Sequence, residues 1–384
     1  MLIVADENIP HLDSFFADIG KVRAVCGRSM TAEQVREADI LLVRSVTRVD
    51  EALLKGSRVR FVGTTTIGTD HVDLDYLRQQ SIRFSAAPGC NANSVVEYVL
   101  TVLSLWAERT GMDDWADLSV GIVGAGNVGG ELGRRLARLG FKVKLCDPPR
   151  AEAEPDNVDQ FVGLEDALSC DVVTFHTPLN REGACPTWHL MNESRIQALK
   201  PGQLLINTSR GEVVDNQALL ARLEAGQAPA VVLDVWENEP AILAGLVRHS
   251  WLATPHIAGY SLEGKVMGVE AIYQAVSHYL GLPARKQAGQ FLPEPPLSKM
   301  SFTGSVAELD AANRAMRACY DPRSDDARLR LVLAGGEQQR KEGFDRLRRD
   351  YPVRREFSSL KLQLKGASKS YQDTFRALGF KVKV

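Results

Sequence analysis

Residues 118–147 read LSVGIVGAGNVGGELGRRLARLGFKVKLCD, and the fold is decided there. An apolar run, residues 120–123, enters a glycine turn, Gly124-Ala125-Gly126-Asn127-Val128-Gly129. A helical pattern follows, with Leu132, Leu136 and Leu139 on one face and Arg134, Arg135 and Arg138 on the other. Gly140 terminates it, and a second apolar run ends at Cys146-Asp147. Strand, glycines, helix, strand and acid in this order make a βαβ unit with a dinucleotide fingerprint. Gly124 permits the tight turn, Gly126 lets the backbone approach a pyrophosphate, and Gly129 lets helix and strand pack closely. Asn127 and Val128 open the helix, whose free N–H groups and dipole hold the phosphates. Asp147 stands at the distance, about twenty residues, expected of the acid that binds the ribose 2′-hydroxyl, so NAD is expected over NADP.

At 384 residues the chain is too long for one core and suggests two or three domains. With 45% hydrophobic residues, 24% charged residues and a net charge of −2, it does not have the balance of a nucleic-acid or membrane-surface protein. No apolar run approaches the ~18–20 residues that span a bilayer. The opening, MLIVADENIP, carries no basic segment or cleavage site, so a cytoplasmic location is expected. Six scattered cysteines without a Cys-x-x-Cys read as reduced thiols, with neither a disulfide framework nor a metal site.

Short apolar runs at residues 2–5, 40–43, 60–63 and 82–84, separated by helix-like segments, predict a parallel sheet with crossover helices. Ligands on such sheets bind beyond the carboxyl ends of the strands. The following loops contain Arg44-Ser45-Val46-Thr47 and Thr64-Thr65-Thr66-Ile67-Gly68-Thr69-Asp70, whose guanidinium, hydroxyls and N–H groups suit an anionic substrate. Ser and Thr are equally good turn and capping residues, and the loops alone do not decide. A long helix capped at Asn93 or Ser94 leads through Ala107 into the glycine-turn unit. Beyond Asp147, residues 148–159 read as a Pro- and acid-rich loop. Apolar strands then end in His176-Thr177, in Asn207-Thr208-Ser209-Arg210 and in Asp234 to Glu239. Residues 249–257 come next, then a helix from about Leu262 to Leu280.

Three strand-end groups, Arg210, Glu239 and His256, suit oxidation of a hydroxyl beside a carboxylate. An Arg fork grips the carboxylate, a His takes the hydroxyl proton as hydride leaves the same carbon, and a carboxylate on the other ring nitrogen fixes the tautomer. Residue types alone leave each open to a structural reading.

Residues 207–215 (NTSRGEVVD), 234–240 (DVWENEP) and 254–259 (TPHIAG) resemble the signature segments of the D-isomer-specific 2-hydroxyacid dehydrogenases, and with the glycine turn the resemblance spans about residues 1–284. It implies that Arg210 binds the carboxylate, Glu239 assists and His256 is the acid/base. It also implies cofactor contacts from Thr177, Thr208, Ser209, Asp234 and Gly259, with His176 a decoy. The implied architecture is α/β, two doubly wound parallel-sheet lobes plus a small C-terminal α/β dimerisation domain. The substrate domain would be discontinuous, residues 1–93 and 256–284. A Rossmann NAD domain, residues 94–255, would be inserted, with residues 285–384 forming the C-terminal domain. Lobe closure would exclude water. His71, His189, His249 and His278 show no partner pattern and read as structural or solvated.

Arg44-Ser45-Val46-Thr47 and Ile67-Gly68-Thr69-Asp70 resemble the family's branch acting on phosphorylated hydroxyacids. Most relatives carry Ser or Thr where Tyr260 stands. Tyr260, the string AGYSLEGK (residues 258–265) and the C-terminal extension resemble one group within that branch, and the resemblance implies oxidation of 4-phospho-D-erythronate on the route to pyridoxal 5′-phosphate. Ser45, Thr66 and Tyr260 would contact substrate, with Arg44 beside them. Residues 292–296 (LPEPP) read as a linker. Beyond them, residues 306–318, 327–334, 342–349 and 371–378 are helix-like, and residues 357–364 and 380–384 strand-like. This part is Arg- and Lys-rich but carries no nucleic-acid motif; a homodimer is expected through it, with Arg346, Arg348 or Arg349 reaching a phosphate in the partner's cleft. Two alternatives stand: a 3-phosphoglycerate or other D-2-hydroxyacid dehydrogenase, and an NAD-sensing binding protein of the corepressor type.

Overall fold

Runs such as Ile40-Leu41-Leu42-Val43 have no polar face, so they must be covered on both sides, as parallel strands flanked by helices are. The computed structural model, which describes residues 1–383, contains them in that setting. The chain divides into two units, Met1–Asn91 with Ser261–Glu294, and Ala92–Tyr260 with Pro295–Val384.

In the first unit β1 (Leu2–Asp6), β2 (Lys21–Val25), β3 (Ile40–Val43), β4 (Phe61–Thr64) and β5 (Arg83–Ser85) form a parallel sheet ordered β2-β1-β3-β4-β5. The edge strand β2, KVRAV, has no apolar run because it is largely exposed, so hydrophobic patterning does not reveal it. The helix Leu262–Tyr279 returns to this sheet. Gly63 and Gly268 permit the approach: a Cβ on the first would lie 2.6 Å from Ile272, and on the second 2.7 Å from the Thr65 carbonyl oxygen.

The second unit holds β6 (Ser119–Val123), β7 (Lys142–Cys146), β8 (Val172–Phe175), β9 (Leu204–Asn207), β10 (Ala230–Leu233) and β11 (Leu252–Ala253). Their order is β11-β10-β9-β8-β6-β7, all parallel, so every carboxyl end lies along one edge. The order reverses between β6 and β8, and such a switch point opens a crevice at that edge. The helix Asn127–Arg138 buries Leu132 and Leu136 beneath the sheet and ends at Gly140, whose φ of 91° closes the turn. Residues 148–159, expected as a loop, instead form a helix, Pro148–Ala153, and a 3-10 turn, Pro155–Gln160. The reason is local: Asp147 accepts from the Arg150 N–H and the prolines occupy the first turn, where no amide donor is needed.

The helix Ala92–Thr110 is buried along most of its length. Its polar residues are hydrogen-bonded: the Ser94 hydroxyl donates to the Ala258 carbonyl at 2.9 Å, and Tyr98 meets the Thr254 hydroxyl at 2.9 Å. The C-terminal residues cover its outer side. There β12 (Lys299–Thr303), β13 (Lys361–Lys365) and β14 (Lys381–Lys383) make a separate three-stranded parallel sheet. β12, another exposed edge strand, is absent from the sequence reading. The strand expected over 357–364 starts only at Lys361, after a 3-10 turn Phe357–Ser359. Of the strand expected to reach residue 384, Val384 itself lies outside the described residues.

The C-terminal residues are joined to the second unit by buried polar groups as well as by apolar packing. Arg135, read as solvent-facing, is largely covered; it donates to the Leu378 carbonyl at 3.1 Å and to the Asn93 side chain. Glu97 accepts from Asn93 at 3.0 Å and from the Phe357 N–H at 2.9 Å. Burial and the neighbouring Glu356 charge push the Glu97 carboxyl well above the usual range. None of the six cysteines is disulfide-bonded, and among the described residues no helix is long and apolar enough to cross a membrane.

Candidate active site

Neighbouring parallel strands place successive loops side by side, and the predicted residues stand in those loops. Arg210 follows β9, Glu239 follows β10 and His256 follows β11, while the glycine turn follows β6, Asp147 follows β7 and Thr177 follows β8.

The glycine turn is built as its spacing requires. Gly124 has φ 90°, and a Cβ there would meet the His176 backbone at 2.8 Å across the switch point. A Cβ on Gly129 would overlap the Gly124 carbonyl, whereas one on Gly126 would meet nothing within 4 Å. No side chain caps the helix that starts at Asn127, and Val128 lies in its first turn. Asp147 accepts from the Ala125 N–H at 2.7 Å, so it also shapes the turn. Beside it, the Thr177 hydroxyl oxygen is buried without a hydrogen-bond partner. Open space over Gly126, an uncapped helix start and an unpartnered hydroxyl fit a dinucleotide's phosphates. His176, the decoy, bonds Thr174 at 3.0 Å and Thr208 at 3.2 Å, and burial pushes its imidazole down to about 3. It is therefore neutral at neutral pH and unsuited to proton transfer there.

His256 Nδ1 lies 2.8 Å from Glu239 Oε2, while Glu239 Oε1 accepts from the Trp236 N–H at 3.0 Å. Burial alone would raise the Glu239 carboxyl. The His256 charge and hydrogen bond, with Arg348 and the Trp236 N–H, outweigh it and hold the group below the usual carboxylate range. His256 has a positive φ of 56°, a conformation uncommon outside glycine that recurs at functional sites. Asp234 holds it there. The Asp234 carbonyl accepts from the His256 N–H at 2.7 Å, and its carboxylate accepts from Ile257 N–H, Ala258 N–H and the Thr254 hydroxyl at 2.6–2.9 Å. Asp234, expected to touch the cofactor, thus has both oxygens engaged in fixing the His256 loop, next to Gly259.

The Arg210 loop is stitched to the Glu239 loop. A Cβ on Gly211 would overlap the Trp236 backbone, so this position requires glycine. Asn216 and Glu237 exchange hydrogen bonds at 3.2 and 3.1 Å. Arg210 donates to the Ser209 carbonyl at 2.9 Å, and Ser209 itself is buried on Asn207. His189, which showed no partner pattern in the sequence, has Glu237 at 2.6 Å and Asp215 at 3.6 Å, tying these loops together.

In the first unit, Arg44 pairs with buried Asp6 at 3.0 Å, Ser45 is exposed, and Thr66 bonds Thr64 at 2.8 Å. Lys265, which no sequence pattern marks as functional, has its ammonium pushed down to about 8 by burial and by the Arg44 charge. Two cations thus lie near one another, Arg44 being paired with Asp6. In the second unit, Arg348 lies 3.9 Å from Glu239 Oε2, with its guanidinium 5.8 Å from the Tyr260 ring centre, whereas Arg346 and Arg349 are exposed. Nothing in the C-terminal sequence singles out Arg348 from its neighbours.

The sequence profile described as D-isomer specific 2-hydroxyacid dehydrogenase, NAD binding domain, matches residues 102–258, and one described as Domain of unknown function (DUF3410) matches residues 291–379. The chain is 66% identical to the erythronate-4-phosphate dehydrogenase of Marinobacter nauticus over the full length of both chains. It is 50% identical to that of Hahella chejuensis over 99% of each chain. Among solved structures, D-lactate dehydrogenase from Aquifex aeolicus, complexed with NAD and lactic acid, aligns with TM-score 0.60 at 24% identity, covering 73% of this chain and 96% of that one. NAD-dependent formate dehydrogenase from Staphylococcus aureus aligns with TM-score 0.60 at 20% identity, covering 75% and 98%. These structural likenesses concern the fold; the full-length relatives define the narrower group. The chain belongs to the erythronate-4-phosphate dehydrogenase family, within the D-isomer specific 2-hydroxyacid dehydrogenases.

Proposed function

We propose that the chain oxidises 4-phospho-D-erythronate to 2-oxo-3-hydroxy-4-phosphobutanoate with NAD, in pyridoxal 5′-phosphate biosynthesis. The observation that carries this reading is the Glu239–His256 pair, 2.8 Å apart, on the same sheet edge as the dinucleotide turn. NAD, when bound, supplies the hydride acceptor. His256 Nδ1–H donates to Glu239, which leaves the Nε2 lone pair to take the proton of the substrate 2-hydroxyl. The ionised Glu239 stabilises the imidazolium that results. Arg210 holds the substrate carboxylate through its planar fork. Arg44 and Lys265 bind the phosphate, with Ser45, Thr66 and Tyr260 as hydroxyl contacts. Asp147 reads the ribose, and Thr177, Thr208 and Ser209 line the cofactor side.

The cytoplasm is the proposed location, and a homodimer through the C-terminal residues the proposed assembly. Leu331 and Val353, 76% and 69% exposed, offer that surface apolar contacts. The test is a panel of phosphorylated hydroxyacids assayed with NAD on wild type and H256A. The reading expects preferred turnover of 4-phospho-D-erythronate, lost in H256A with NAD binding retained. Preference for 3-phosphoglycerate would make it a different dehydrogenase, and NAD binding without turnover of any hydroxyacid would favour a sensor.

A further inference from the structure

We propose that Arg348, from the C-terminal helix Glu337–Arg349, is a positioning residue for the Glu239–His256 pair of its own chain, setting the pH at which His256 accepts the substrate proton. The inference rests on the reading of His256 as the base.

Arg348 reaches Glu239 Oε2 at 3.9 Å, the same oxygen that lies 2.8 Å from His256 Nδ1. Its side chain is only 18% exposed, and its Nε is buried without a hydrogen-bond partner. A guanidinium held in this way bears a desolvation cost, and its charge is directed at Glu239 and the Tyr260 ring. The surrounding framework fixes it. The Tyr351 ring stands edge-on to Tyr260, with centres 5.7 Å apart, and the Tyr351 hydroxyl donates to Asp325 at 2.8 Å. Arg354 donates to the Ala258 carbonyl at 3.0 Å, two residues beyond His256. Asp326 accepts from the Ala253 N–H at 2.8 Å, at the end of β11. The C-terminal residues thus buttress the His256 loop from behind, and Arg348 brings the charge.

The charged and titratable groups around His256 and its loop include Tyr98, Asp234, Glu239, Tyr260, Asp325, Asp326, Arg348, Tyr351 and Arg354. Arg348 acts in one direction by two routes. Its positive charge repels an imidazolium, and it neutralises part of the Glu239 charge that would favour one. Removing it lets His256 keep its proton to higher pH. The base form needed for oxidation then appears later, and the acid limb of the kcat/KM profile moves up by about one pH unit, the scale of a single nearby charge.

The experiment compares wild type, R348Q, R348K and R346Q. The first readout is the pH dependence of kcat/KM for 4-phospho-D-erythronate oxidation with NAD. The second, independent of substrate, is the His256 imidazole titration by NMR, assigned with H256N. The upward shift is expected in both readouts for R348Q. R348K, which keeps the charge, should cancel most of that shift, and R346Q, which removes an exposed charge, should show none. An R348Q midpoint matching wild type overturns the proposal, as does a raised KM with an unmoved acid limb, which would make Arg348 a substrate-binding group. If R348Q does not fold, R348M keeps the apolar stem and is judged by the same criterion. A wild-type chain inactive on the substrate would defeat the functional reading, while the NMR readout would still decide the role of Arg348.

Discussion

Replacing Glu239 with Gln changes one carboxylate oxygen to an amide nitrogen at constant shape, which isolates what the charge does. In the structure Oε1 accepts from the Trp236 N–H at 3.0 Å and Oε2 faces His256 Nδ1 at 2.8 Å. In E239Q the Trp236 donor holds the amide oxygen, so the NH2 group faces Nδ1. The ring must then accept there, moving its proton to Nε2 and removing the lone pair that takes the substrate proton. Turning the amide over restores the tautomer but leaves the Trp236 N–H unmatched, at ~1–3 kcal/mol. The lost ion pair is worth at most ~6 kcal/mol for unit charges at this distance with an effective dielectric of about 20. Partial solvent access and the countercharge of Arg348 at 3.9 Å reduce that, so about 3 kcal/mol is expected. This corresponds to a fall of about a hundredfold in kcat/KM at neutral pH. NADH fluorescence under steady-state and single-turnover conditions measures it, and NAD affinity from a separate titration should not move. E239Q retaining kcat/KM within about threefold of wild type across the pH range would refute the reasoning. A stability effect accompanies it. Because the folded Glu239 carboxyl lies below its ordinary range, its contribution is present above that range and lost as pH falls through the folded value; E239Q should flatten that acid limb.

The remaining predictions concern other parts of the molecule. Asp147 caps one helix and holds the Ala125 N–H, so D147N, which keeps an oxygen acceptor, should weaken NAD less than D147A, while both narrow the preference over NADP; unchanged NAD and NADP dissociation constants would assign the ribose to another residue. Lys265 is pushed from 10.5 down to about 8, so between those values the unfolded chain holds a proton that the folded one has released, and stability rises with pH across that window. K265M should abolish that slope in chemical denaturation, and inorganic phosphate should raise the wild-type Tm more at pH 7 than at pH 9, where the ammonium is largely discharged. The Glu97 carboxyl lies well above its usual range, so its favourable protonated form is lost as pH rises; E97Q should equal or exceed wild-type stability at pH 8, and a loss of more than about 2 kcal/mol would mean the carboxylate itself is required.

Which parts were legible in the sequence follows from burial. Strands β3, β4, β8, β9 and β10 are buried along nearly all their length and appear as mostly apolar runs. The edge strands β2 and β12 expose much of their length and leave no such mark. Gly124 and Gly129 each meet a neighbouring backbone where a Cβ would not fit, and their spacing identified them; Gly211 meets the Trp236 backbone in the same way, but no spacing pattern marked it. The loop read over residues 148–159 is a helix because capping by Asp147 with prolines in the first turn outweighs Pro- and acid-rich composition.

By itself the sequence determined the parallel-sheet architecture and the dinucleotide turn, because these depend on short-range spacing; Arg210, Glu239 and His256 were candidates by residue type and strand-end position, and the family resemblance supplied their roles. Only the tertiary structure decided that Arg348, and not Arg346 or Arg349, lies against Glu239, that Asp234 spends its carboxylate on the His256 loop, and that Lys265 is crowded by Arg44. Those pairings join residues far apart in the chain, and a side chain's charge environment is set by what folds over it, which no local pattern records.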